Sequence, residues 1–315
     1  MIEDIELIFD SSIRLAATLL LAGLGELIAE RAGTINISIE GMLLSGAFGA
    51  AYGSHVTGSA TTGLIIGSLV GLFVGLVQAN LSHRLKVNQF IIGLVINFFV
   101  LGVTSFLAAE LSFRPIRFGI LEIPLISSIP ILGSLFSQRT PFFLLFILVP
   151  LTWWLLYKTR WGLEIRSVGE DPEAAAISGV PVLKRRRQAI YICGLLSGLA
   201  GSYLSIGHVG SFTPNMTALR GFVVIAAVIL GGWRVKGAIA GCLLFGGVEA
   251  LRVSLPALGV TLFPQLLISL PYLAALLTLT VIGRSNKIFI KINTKEIMVK
   301  VNHVFVFIDI NIVLE

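Results

Sequence analysis

Residues 161–187 read WGLEIRSVGEDPEAAAISGVPVLKRRR, the longest strongly charged interruption in an otherwise apolar chain. Asp171 suits a helix N-cap, Pro172 the first turn, and Ala174, Ala175 and Ala176 propagate the helix until Gly179 and Pro181 stop it. The stretch predicts a short helix, standing off the apolar remainder, small enough to sit in a groove on another protein. The competing reading is an ordinary solvated loop between two apolar segments.

Outward from this stretch the chain is hydrophobic. Of its 315 residues 56% are hydrophobic and only 13% charged, and the mean hydropathy is +0.94; a soluble domain is about one quarter charged. Several runs reach the roughly 20 apolar residues that a hydrocarbon core of about 30 Å asks of a helix, whereas a membrane barrel would show weak ten-residue alternation. The expected fold is an all-α integral membrane protein, a polytopic bundle of about eight to ten transmembrane helices with broken or re-entrant segments. The net charge of +6 sits in short loops, where Lys and Arg set topology, so no nucleic-acid partner is implied. Cys193 and Cys242 lie in apolar segments without a neighbouring ligand at metal spacing, and His55, His83, His208 and His303 are scattered. No metal site is expected.

The spans expected from hydropathy are 11–28, 39–54, 61–82, 88–110, 141–158, 188–208, 218–232, 237–253 and 263–283, of which 218–232 is short enough to be broken or re-entrant. Lys158, Arg160, Arg166 and the run Lys184–Arg187 place the central loop, 159–187, in the cytoplasm. Strict alternation then puts residues 111–140 outside, with the N-terminus outside too. Pro115, Pro124, Pro130 and Pro141 around an apolar run predict that this outer segment is a short amphipathic lid or platform. Acidic Glu3, Asp4, Glu6 and Asp10 stand where a signal peptide would be basic, so the N-terminus is expected to be mature chain.

Small residues recur every fourth position, as in Gly41, Ser45, Gly49, Gly53, in Gly63, Gly67, Gly71, Gly75, in Gly194, Gly198, Ser202, and in Gly237, Gly241. Such faces let backbones approach, because lipid supplies no hydrophobic drive for helix association. A dimer face is the functional reading, but packing within the bundle is the expected use. Between the first two spans, Ile35, Ile37 and Ile39 alternate with Thr34, Asn36 and Ser38, a period that suits extended chain before a helix restarts at Glu40. Two readings of that break stand: it lines a pathway, as broken helices do, or Glu30 and Arg31 sit at the interface while Glu40 caps its helix. Glu249 within a span is a functional candidate by default, but Arg252, three residues on, can neutralise it as a helix-face pair, and that pairing is the favoured reading. Residues 284–315 contain no Gly, Ala or Pro and alternate Ile, Val, Asn and Lys, so they read as an atypical tail on a membrane domain of residues 1–283.

Three stretches, GTINISIEGMLLSGAFGA, RSVGEDPEAAAISGV with the basic run after it, and GFVVIAAVILGGWRVKGAIAG, resemble in order the permease subunits of ATP-binding cassette importers for branched-chain amino acids, ribose and nucleosides. Within that superfamily they are most similar to nucleoside permeases, with Ser38 standing where glycine is common. The resemblance implies a non-enzymatic, multi-pass subunit of a bacterial-type plasma membrane. Its implied partners are a second related permease subunit, a cytoplasmic ATPase that binds the ATP, and an external solute-binding lipoprotein or periplasmic binding protein. It places Glu170, Asp171, Glu173, Ala174 and Gly179 on the ATPase-coupling segment. Sugars or branched-chain amino acids are the alternative cargo, and a self-powered secondary transporter is the alternative class.

The residues themselves weigh on that choice. No Gly-Lys pair occurs, so the chain has no P-loop, and no cofactor is expected in it. Few ionisable groups stand at mid-span to couple to protons or sodium, and no acid, base or metal constellation marks an enzyme. A polyhydroxylated solute needs uncharged hydrogen-bonding groups along its way, for which Asn36, Asn97 and the neighbouring Glu40 are the candidates. The competing reading of Asn97 is a bridge between two helices.

Overall fold

The structure, a computed structural model, describes residues 2–85, 87–111, 113–122 and 137–257, with Ser269 and Leu273. Contacts divide the chain into one unit of residues 1–271 and another of residues 272–315. The expected span at 263–283, apart from Ser269 and Leu273, and the tail at 284–315 lie outside the described residues. So does most of the expected outer platform, at 123–136.

The described residues form a helical bundle. Its elements are α1 (Ile2–Arg31), α2 (Ile39–Thr57), α3 (Ala60–Ala79), α4 (Gln89–Glu110), α5 (Leu144–Lys158), α6 (Arg160–Glu170), α7 (Pro172–Ile177), α8 (Val182–Ser202), α9 (Arg220–Leu230) and α10 (Val235–Ala257). Two π-helical segments, Asn80–Arg84 and Tyr203–Val209, prolong α3 and α8. Six of these stretches are long and apolar enough to cross a membrane: Ile8–Arg31, Ala60–Arg84, Gln89–Glu110, Thr140–Lys158, Val182–Val209 and Val235–Pro256. The chain is a polytopic all-α membrane protein.

Burial orders the bundle. On α1, Leu21, Ala22, Leu24, Leu27 and Ala29 are wholly enclosed, so this helix is the central column rather than a lipid-facing one. α2 is enclosed as well, and small residues make that possible. A Cβ on Gly46 would lie 2.5 Å from the Gly198 Cα, one on Gly71 2.4 Å from the same atom, and one on Gly67 2.4 Å from the Gly46 carbonyl oxygen. The stripes expected from the sequence therefore face inward and bring α2, α3 and α8 into backbone contact. Dispersion at that range replaces the hydrophobic drive that lipid cannot supply. α3 and α4 turn the opposite kind of face outward, with Phe73, Phe98, Phe99 and Phe106 exposed.

The two ends of the bundle are distinct. At one, Gln138 Nε2 donates to Asp10 Oδ1 at 2.7 Å, the Phe118 amide donates to the Ile206 carbonyl, and the Arg114 amide to His55 Nδ1. The start of α1 and residues 113–122 and 137–139 thus share an end, in line with the expected alternation. At the other end Arg186 donates to the Ala32 carbonyl and Arg31 to the Trp233 carbonyl. There the basic residues of the central stretch gather beside the C-terminus of α1.

The described ends of the outer segment form a short antiparallel pair, β1 (Ile120–Glu122) with β2 (Ser137–Arg139), in which Ile120 faces Arg139 and Leu121 faces Gln138. One expectation changes. The central stretch is not a loop with one helix. An additional amphipathic helix, α6, precedes α7 and buries Gly162, Ile165 and Val168, while the basic run 184–187 is the first turns of α8.

The close glycine contacts make a prediction. Gly198→Val should lower the thermal unfolding midpoint in detergent markedly, since overpacking costs about 1–3 kcal/mol even where some relaxation is possible. Gly102→Val, where a Cβ meets nothing within 4 Å, should leave it unchanged. Equal behaviour of the two variants would show that α2, α3 and α8 do not meet through Gly198.

Candidate functional site

Two helices begin inside the bundle rather than at its ends. The chain leaves α1 at Arg31, turns at Gly33 (φ +73°) and runs back inward. The Asn36 amide donates to Glu26 Oε1 at 3.1 Å, so the extended stretch is tied to α1 more than one turn before its end. α2 starts from there. The second inward start is α9, reached from the π-helical end of α8 through residues 210–219. α9 is 11 residues long and rises about 16 Å. Its C-terminal turn holds Trp233, whose indole donates to Glu30 and whose carbonyl accepts from Arg31 at the basic end. A rise of about 16 Å is only about half of a roughly 30 Å hydrocarbon core, too short to cross it.

Glu40 joins the two starts. Its carboxylate is 7% exposed and accepts from Thr217 Oγ1, from the Leu219 amide at 2.9 Å and from the Gly221 amide at 2.6 Å. The second residue of α2 thus caps another helix, α9, by filling amide donors that no intrahelical carbonyl can reach. The same carboxylate closes a strained loop, since Asn215, Ala218 and Leu219 all have positive φ, at 56°, 45° and 66°. Such backbone costs of the order of 1–3 kcal/mol per residue and persists only where its surroundings hold it. Gly221 is required by proximity: a Cβ there would lie 2.7 Å from the Glu40 amide nitrogen.

Beside this junction lies a cavity of about 100 Å³, lined by Glu40 and Asn97 together with Asn215, Phe98, Phe222 and aliphatic side chains. Asn97 bridges helices: its Oδ1 accepts from the Gly41 amide and its Nδ2 donates to the Ile37 carbonyl, both at 2.8 Å. It therefore both lines the cavity and pins α4 to the start of α2. Asn36 is placed elsewhere. It is wholly buried, donates through Nδ2 to Met42 Sδ and Cys193 Sγ at 3.2 Å, and is not on the cavity surface. The sequence gives no hint of Asn215. Glu26 was legible as a carboxylate one turn before Glu30 in an apolar span, but only the fold shows it holding Asn36 and accepting from Cys193. Glu249 pairs with Arg252 as expected, and also with Arg220 on α9 at 3.2 Å. Among the described residues no cluster of His, Cys, Asp or Glu has the makings of a metal site.

At the basic end, α7 has the expected form. Asp171 Oδ1 accepts from the amides of Glu173 and Ala174, both at 3.0 Å, Pro172 occupies the first turn, and Gly179 closes the segment at φ +83°. Glu170, Asp171, Glu173, Ala174 and Gly179 are all exposed, and Ala175 alone in α7 is buried. Ile177 is 89% exposed among these charges. Gly169 seats the pair α6 and α7 against α1: a Cβ there would meet the Arg31 carbonyl.

A family model described as branched-chain amino acid transport system / permease component matches residues 8–282. A putative glucose ABC transporter permease protein of Haloferax volcanii is 36% identical, over 82% of this chain and 80% of its own length. A guanosine ABC transporter permease protein of Bacillus subtilis is 31% identical over 90% and 95%, and a nucleoside ABC transporter permease protein of Lactococcus lactis is 29% identical over 80% and 84%. No solved structure gives a match.

Asn97 distinguishes bridge from bystander. Asn97→Leu leaves the Gly41 amide and the Ile37 carbonyl without their partner, at about 1–3 kcal/mol for each group that stays dry. The unfolding midpoint in detergent should fall, and Asn97→Asp, which keeps the acceptor toward Gly41, should recover part of the loss. An unchanged midpoint for Asn97→Leu would remove the bridge.

Proposed function

The chain belongs to the branched-chain amino acid transport system permease family, and on that premise we propose that it forms one half of the path by which an ATP-driven importer of the plasma membrane takes up nucleosides. The observation that carries this reading is the junction of two inward helix starts at Glu40, beside a cavity with amide side chains. Solutes meet half-helix ends and irregular backbone at mid-depth in membrane transport proteins, because only there can a polar group be exchanged for water's hydrogen bonds. A second, related permease subunit completes the path, and an external binding protein delivers the solute at the end bearing residues 113–122 and 137–139.

Energy enters at the opposite end. α7 presents Glu173, Ala174 and Ile177 to a cytoplasmic ATPase, with Glu170, Asp171 and Gly179 shaping the segment. A capped helix seated through Gly169 on the C-terminus of α1 moves as one piece with the column that carries Glu26 and Glu30. Nucleosides are favoured as cargo by the Bacillus subtilis and Lactococcus lactis relatives, and sugars are the second reading, favoured by the Haloferax volcanii relative.

Coupling is open to a direct test. Glu173 is exposed, and its side chain has no hydrogen bond or ion pair among the described residues, so Glu173→Arg should leave the bundle folded. Uptake in cells should fall by about tenfold or more, while ATP hydrolysis by the purified complex ceases to respond to solute-loaded binding protein. Normal uptake by the variant would show that α7 is not where the ATPase engages.

A further inference from the structure

Three polar side chains line the cavity beside Glu40, and two of them are spent on the fold. Glu40 serves Thr217 and the α9 amides, and Asn97 serves Gly41 and Ile37. Asn215 is different. It is exposed, it lines the cavity, and its side chain forms no hydrogen bond among the described residues. Around it stand two phenyl rings, Phe98 and Phe222, and otherwise leucines and backbone.

From this inventory we infer that the cavity is the seat of a flat heteroaromatic ring, a nucleobase, which rests on Phe98 and Phe222 while its edge is read by the Asn215 amide. The inference deepens the importer reading and rests on it. An aromatic side chain offers its face to any base, and an amide carries the paired donor and acceptor that base edges present. A saccharide fits the same walls badly. Each of its hydroxyls wants a partner, and the leucines and phenyl rings supply none. Size agrees. Pockets that enclose a whole drug-sized ligand run from about 300 to 1,000 Å³, so about 100 Å³ holds a ring system with the pentose left outside.

The competing explanation of Asn215 is conformational, because asparagine tolerates the left-handed backbone found there, φ 56°. The two explanations part at one substitution. Asn215→Gly keeps the backbone free to adopt that φ and removes the amide. Cells whose only copy of the gene encodes the wild-type or variant chain would be given a labelled ribonucleoside or labelled ribose, and the ATPase would be co-purified from each. Wild-type cells should accumulate the ribonucleoside, with unlabelled nucleoside competing and ribose failing to compete. Asn215→Gly and Phe222→Leu should each lower that uptake by about tenfold with the ATPase retained. Full uptake by Asn215→Gly would overturn the recognition role and leave asparagine as a backbone choice. Uptake of ribose in place of the nucleoside would overturn the base site while leaving the importer standing, whereas a wild-type chain that brings down no ATPase would overturn the importer reading itself.

Discussion

The carboxylate of Glu40 is the constraint on which the interior depends. It stands where α2 restarts, and it reaches the amides at the start of α9, a helix whose own residues cannot fill them. Hydrogen bonds to charged groups contribute about 1.5–3 kcal/mol each. Three of them are of the same size as the strain in a loop with Asn215, Ala218 and Leu219 at positive φ, about 1–3 kcal/mol each. The bonds thus help hold the loop in that shape. A cavity wall built in this way is set by a single side chain.

Everything around the junction serves to bring α2 close enough for that contact. Glycines 46, 67, 71 and 198 remove the side chains that would hold α2, α3 and α8 apart. α1 passes through the centre, and its carboxylates Glu26 and Glu30 anchor the backbone on either side: Glu26 the stretch leading into α2, Glu30 the turn that leaves α9. The anchors lie one turn apart on one helix. Glu26 and Glu30 thus tie the approach to α2 and the turn after α9 to the one helix whose end Gly169 meets at Arg31.

How much of this was legible in the sequence follows the range of the forces. Asp171, Pro172 and Gly179 announced α7 because capping acts over three residues, and the glycine stripes announced close packing because their period is that of one helix. The broken span near 218–232 was legible from its length. α6 was not, since its apolar positions Ile165 and Val168 are few and sit among charges that read as loop. The β1–β2 pair escaped because strands of three residues leave no period to detect. Asn215, the role of Glu26 and the pairing of Arg220 with Glu249 were beyond reach for another reason: their meaning lies in neighbours distant along the chain. Glu40 itself was noticed as a helix-start carboxylate, but the helix it caps is the one 181 residues away.

The most direct measurement of the Glu40 junction is a double-mutant cycle between Glu40→Gln and Thr217→Val, read as the free energy of unfolding in detergent. If the carboxylate joins the two inward starts, each single change is destabilising and the double variant loses less than the sum. The difference should be about 1 kcal/mol or more, as for residues in one hydrogen-bonded network. Strictly additive losses would mean that Glu40 and Thr217 do not meet, and that α2 and α9 begin independently.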